Sequence, residues 1–122
     1  MKIFGHPWIE SETLYSISSP DEIKETPPNA LLHIDAFSEK IALIEYCYRN
    51  HLLYAVKISE IKEAIFANNL GAKFLLCSKP LAKELMPIAQ NYLFDAQVIA
   101  YIGDEKEIEE LAKVGVDGVK FK

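Results

Sequence analysis

A strand-like apolar run followed by a helix-length segment recurs about every 21–23 residues from Ala30 onward. Five such runs can be read, at residues 30–37, 52–58, 73–78, 96–102 and 117–121. Antiparallel neighbours need only a tight turn between them, whereas parallel neighbours need a crossover long enough to hold a helix. The cadence therefore predicts parallel strands joined by helices. Val98-Ile99-Ala100-Tyr101-Ile102 is apolar on both faces, the pattern of a strand covered on both sides. The expected fold is a three-layer α/β domain of five or six mostly parallel strands with helices on both faces, either an open doubly wound sheet or a partial barrel. Such sheets gather their ligand groups at the C-terminal ends of the strands, which confines the search for function to a few positions.

The helix-length segments carry their own punctuation. Ser38 and Ser59 are placed to cap the first two, and Gly71 to stop the second. Pro80 opens the third, where Pro87 predicts a kink or two short helices. Asp104 with Glu107 three residues later starts the fourth in the manner of a capping box, and Gly115 ends it. Residues 1–29 differ. Residues 12–17 read as a short strand and Ser19-Pro20 as a helix start, before Thr26-Pro27-Pro28-Asn29 stops the chain. This stretch is either an arm packed across the sheet or a stunted first unit.

The chain has 122 residues, enough for one domain and too few for a complete eight-stranded barrel. Its formal charge of −5 disfavours a general electrostatic grip on nucleic acid or an anionic membrane. No apolar run of bilayer length and no signal-peptide pattern is present, so a cytoplasmic protein is expected. Cys47 and Cys77 lie in apolar surroundings without a CxxC partner, and the three histidines lack ligand spacing. Neither a metal nor a cofactor is expected. The dinucleotide and phosphate-loop glycine motifs are both absent.

Polar residues near strand ends supply the candidate site. His33 and Asp35 are two apart on one strand and so share a face, where they could act as a base and its orienting carboxylate. Ser59, with Lys57 before it, ends the second run; Ser78 and Lys79 end the third; Gly103 follows the fourth. Ser78, Lys79, Ser59 and Gly103 are candidate ligand-binding residues, because a helix N-terminus offers free N–H groups to an anion. The same residue types serve equally as helix caps. Lys120 lies between Val119 and Phe121 in the last run, where apolar neighbours suit an amine that attacks carbonyl compounds. His6, Trp8 and the cluster Tyr46, Tyr48, His51 and Tyr54 read as core or interface material.

From about Leu53 onward the chain resembles the second half of the keto-deoxy-phosphogluconate aldolase family of α/β barrels. Gly71-Ala72-Lys73-Phe74 with Ser78, then Glu107, Gly115 and Val119-Lys120-Phe121, carry the resemblance. It implies a Schiff base on Lys120 and a substrate-binding loop after residues 73–78. Ala100-Tyr101-Ile102-Gly103-Asp104 stands where the family has a Pro-Gly segment and a threonine.

Two functions follow as expectations. The first is a non-catalytic binding or regulatory module acting on a protein partner or a small acidic ligand, with a homodimer or the N-terminal arm covering exposed sheet edges. The second is an aldolase-like carbonyl lyase in which Lys120 forms the imine, Asp35 or His33 moves protons, and Ser78 and Lys79 hold a phosphorylated or keto-acid substrate.

Overall fold

The computed structural model describes residues 1–122. Seven strands alternate with helices after the first: β1 (Lys2–Phe4), β2 (Leu14–Ser16), α1 (Pro20–Ile23), β3 (Leu31–Ile34), α2 (Ile41–Arg49), β4 (Tyr54–Lys57), α3 (Ile61–Asn69), β5 (Phe74–Cys77), α4 (Lys79–Asn91), β6 (Gln97–Ile102), α5 (Glu107–Lys113) and β7 (Gly118–Phe121). All seven form one parallel sheet in the order β1-β7-β6-β5-β4-β3-β2. Apart from β1, the order follows the chain. The α/β class and the parallel pairing match the cadence, but there are seven strands rather than five or six. β2 lies within the short strand read at residues 12–17 and, with α1, forms the stunted first unit beside β3; the strand not expected is β1, which joins the other edge beside β7. Three-residue β1 is too short for its alternation to be read from the sequence.

Helices on both faces is a second expectation that needs correcting. The buried apolar residues of α2 to α5 all belong to one 26-residue cluster with alternate strand residues such as Leu32, Ile34, Val56, Leu75, Val98 and Val119. The intervening positions, Phe4, Leu31, Ala55, Phe74, Leu76 and Ile99, form a separate cluster drawn from strands alone. One face of the sheet therefore meets helices, and the other curls to meet itself. Both faces of each strand are apolar in either arrangement, so composition cannot separate them.

Distances across the sheet demonstrate the curl. Phe4 and Phe74 stand on strands three places apart, about 14 Å in a flat sheet. Their ring centroids are 5.4 Å apart in an edge-to-face pair, a geometry that contributes about 0.5–1.5 kcal/mol beyond burial. Beneath them Glu12, just ahead of β2, accepts Lys2 of β1 at 2.9 Å and Lys73, just ahead of β5, at 3.2 Å. Both ammonium groups also lie over the Phe74 ring. β1 and β2 remain unbonded to each other, so the result is a partial barrel with one open seam.

The loop from Gly5 to Thr13 joins the two edges across that seam. His6 Nε2 meets Glu105 Oε2 at 3.0 Å and His6 Nδ1 accepts the Trp8 N–H, which ties the loop to the turn ahead of α5. Helix α4 runs as one element through Pro87 rather than as two short helices. Pro87 lies on its exposed side, where water can take the carbonyl bond that proline cannot supply.

Gly118 sits where β7 is squeezed between β6 and β1. A Cβ there would lie 2.7 Å from Ile99 Cδ1 and 2.8 Å from the Lys2 carbonyl oxygen, whereas one at Gly103 would meet nothing within 4 Å. Gly118→Ala should therefore lower unfolding free energy by about 1–3 kcal/mol in urea denaturation, the range for overpacking. Gly103→Ala should leave it nearly unchanged. Equal stability for the two variants would show that β1 does not dock on β7 as described.

Candidate functional site

Alternation and register decide which side chains enter the curl. Ser16 pairs with His33, and Lys120 of β7 lies between Tyr101 of β6 and Phe4 of β1. These residues share the inner-face phase of Leu31, Phe74 and Ile99, as do Lys57 and Asp35. Ser16, His33, Lys57, Tyr101 and Lys120 are the last or next-to-last residues of their strands, whereas Phe74 opens β5, so polar side chains gather at the C-terminal mouth of the curl above the Phe74 ring.

At the mouth, His33 Nδ1 and Ser16 Oγ are 3.1 Å apart. His33 Nε2 is shut off from solvent and has no hydrogen-bond partner. An uncompensated buried polar atom costs about 1–3 kcal/mol, so its occurrence at a convergence of charged groups points to function. Burial first, and then the Lys120 and Lys57 ammonium groups, hold the imidazole below its usual value of 6.5, while Asp35 acts in the opposite sense. β7 and β3 are four strands apart, about 19 Å in a flat sheet. Curl of the sheet is what brings the Lys120 charge to bear on His33. Lys57 Nζ lies 5.8 Å from the Tyr101 ring centroid, and burial pushes the Tyr101 phenol up. Lys120 is partly buried, whereas Lys57, Asp35 and Ser16 are exposed. Asp35, Lys57 and Ser59 also line a rim cleft of about 270 Å³.

The proposed catalytic trio of His33, Asp35 and Lys120 is thus brought to one end of the curl. None of the four proposed ligand-binding residues is free: Ser78 and Gly103 are engaged at the starts of α4 and α5, Lys79 bridges α4 to α5, and Ser59 is tied to Glu63 just ahead of Glu60, which takes the cap position expected of Ser59. Ser59 donates its backbone N–H and hydroxyl to Glu63 Oε1, at 2.7 and 3.0 Å. Ser78 Oγ accepts the Leu81 N–H. Lys79 pairs with Glu107 and Glu110, and the Gly103 N–H is taken by Glu107. Carboxylates four residues beyond Ser59 and Gly103 were the available signal. Helix α2 begins at Ile41 with Lys40 as its cap residue, so Ser38 does not cap it.

Ser16 and Tyr101 were missed as site residues, and Lys57 was seen only as a strand end. Their convergence depends on register and curl, neither of which local sequence reveals. The thiols of Cys47 and Cys77 are buried and unpaired, and burial pushes them up to about 11 and about 12. They stay protonated near neutral pH and behave as small apolar side chains. No group of three or more His, Cys, Asp or Glu is placed to hold a metal ion, and no helix is long and apolar enough to cross a membrane.

No family model and no curated protein matches the chain. The functional reading therefore rests on the mouth itself.

Glu107 gives the site's scaffold a pH signature. The N–H of Gly103, then Lys79, then the N–H of Asp104 hold its carboxyl at about 2, below the usual 4.5. A group lowered in the folded state adds stability that is complete above its unfolded value and lost as pH falls toward the folded one. Glu107→Ala should melt at a lower temperature at pH 7, with a flatter decline than the parent between pH 4.5 and 2. Identical acid limbs would refute this role.

Proposed function

We propose that the protein binds a small anionic metabolite at the C-terminal mouth of the curl, as a non-catalytic sensing or carrier module. The observation that carries this reading is the gathering of Ser16, His33, Lys57, Tyr101 and Lys120 on the inner face at or next to the last residues of their strands. Lys57 and Lys120 supply positive charge, while the Ser16 hydroxyl and Tyr101 phenol can add neutral hydrogen bonds. The aromatic floor sets the depth to which a ligand can enter. Most charge on the chain is negative, yet Lys57 and Lys120 outnumber Asp35 at this mouth. Local field rather than net charge governs what binds there.

A second reading is favoured by one observation: Lys120 is partly buried on the inner face, within the influence of His33, rather than free at a fraying end. An imine between Lys120 and a keto acid is consistent with that position and with the aldolase resemblance. In it Lys57 would receive the substrate carboxylate, because Ser78 and Lys79 are occupied. His33 would relay the proton, with Asp35 beside it.

Amide-resolved NMR titration with sulfate and with pyruvate tests both readings. Anion binding predicts shifts confined to the surroundings of Ser16, His33, Lys57, Tyr101 and Lys120. Lys57→Met and Lys120→Met should each weaken binding about tenfold, as expected for losing one charge-assisted contact. Shifts elsewhere, or none up to millimolar ligand, would overturn the proposal. Borohydride added to the pyruvate sample separates the readings: a covalent adduct on Lys120 supports the imine, and its absence leaves binding alone.

A further inference from the structure

The helix layer has a gap over β1. Residues 5–13 lead from β1 to β2 without a helix, whereas every later connection between strands contains one. Ile3 alternates with Phe4 and packs with the helix-side cluster, so its side chain points away from the curl. Beside it the Gly5–Thr13 loop and the start of α5 enclose a cleft of about 380 Å³ on the outer side of the sheet. That volume suits a small molecule rather than a helix. Ile3, Trp8, Ile9 and Ile108 give the cleft apolar walls, and its carboxylates are Glu105 and Glu109. We infer that this cleft, separate from the mouth, binds a small organic cation: an ammonium or guanidinium group carried on an apolar body.

The hydrogen bonds of His6 settle the charge of the cleft. Nδ1 accepts the Trp8 N–H, so that nitrogen carries a lone pair and the ring proton sits on Nε2. Nε2–H donates to Glu105 Oε2 at 3.0 Å. The imidazole is thus neutral, and Glu105 keeps its full negative charge with its second oxygen open. Glu109 pairs only with Lys113, at 3.8 Å and one helical turn away, an exposed contact of little strength. No lysine or arginine lines the cleft, so its field is negative. Trp8 supplies the other half of the recognition. Its ring packs edge to face with His6, centroids 5.0 Å apart, yet the residue remains 85% exposed. Of the aromatic side chains, an indole attracts cations most strongly through its face. An organic cation meets both features at once. Its charge answers the carboxylates and the indole, and its body covers Ile3, Ile9 and Ile108. An inorganic cation would leave those walls wet, and an anion would be repelled.

Trp8 is the chain's one tryptophan, so its emission reports on this cleft directly. Phenethylammonium, neutral phenethyl alcohol and anionic 3-phenylpropionate share a phenylalkyl body and differ in charge. Ammonium chloride supplies the charge without the body. Each is titrated into the full chain, followed by Trp8 fluorescence and amide NMR. Phenethylammonium should give a saturable change at millimolar concentration, with amide shifts confined to residues 3–9 and 105–109. The alcohol should bind at least about threefold more weakly. Phenylpropionate and ammonium chloride should give no saturable change in Trp8. Glu105→Gln removes the charge but keeps an acceptor for His6. Combined with Glu109→Gln, it should weaken phenethylammonium about tenfold, as expected for losing two exposed charge contacts. Trp8→Leu should weaken it roughly fivefold by NMR. The comparison of probes uses the unaltered protein and stands even if a variant fails to fold. Equal affinity for the alcohol and the ammonium compound would overturn the inference. So would shifts centred elsewhere, or no saturable change up to tens of millimolar. Each of these results would leave anion binding at the mouth intact.

Discussion

The contact between Phe4 and Phe74 is where the sheet becomes a container. Side chains on one face of a flat parallel sheet stand side by side about 4.8 Å apart from strand to strand, so strands three places apart cannot bring theirs together. Here two rings from strands three places apart meet edge to face, and Glu12 bridges the N-terminal ends beneath them through Lys2 and Lys73. The curl this requires converts the inner face from a surface into a shallow well. Apolar residues fill its depth, and every polar inner-face residue above them is forced to the rim. Gly118 belongs to the same constraint, since only a residue without a Cβ lets β1 approach β7 and complete the far edge.

The site's chemistry follows from that geometry. His33 and Lys120 are remote in sequence and four strands apart in the sheet, yet the lysine depresses the histidine's proton affinity. Burial provides the larger share of the depression, and the dry floor below the mouth makes each charge more effective than it would be in water. The loop from Gly5 to Thr13 spans the seam and is tied at its start to the turn ahead of α5 through His6 and Glu105. Trp8, the most exposed aromatic on that loop, donates its backbone N–H to His6 Nδ1 and sets its ring edge-on to the imidazole, with centroids 5.0 Å apart.

Much of this architecture was legible in the sequence, for physical reasons that also mark the boundary. The cadence from Ala30 onward revealed five of the seven strands and the parallel pairing, because crossovers need length that hairpins do not. Alternation placed His33 and Asp35 on one face. The count of strands was not legible, since Lys2-Ile3-Phe4 is too short for a periodic signal and docks by fitting against Gly118. Curl was not legible either, because a strand buried between two helix layers and one buried inside a barrel need the same residues. Ser59, Ser78, Lys79 and Gly103 were read as ligand contacts because a cap and an anion site both use small polar residues at a strand–helix junction. Glu63 and Glu107 decide between these roles here, by reaching back to the backbone ahead of their helices.

The claim on which everything else depends is that curl brings β7 within electrostatic reach of β3. Titration of the His33 ring by NMR, in the parent and in Lys120→Met, measures that reach directly. Removing the ammonium takes away a charge that opposes protonation, so the midpoint should move upward toward 6.5. The substitution keeps a long apolar side chain in place, which limits changes in burial. A midpoint unchanged by the loss of Lys120, in a variant that remains folded, would contradict the curled sheet and the mouth together.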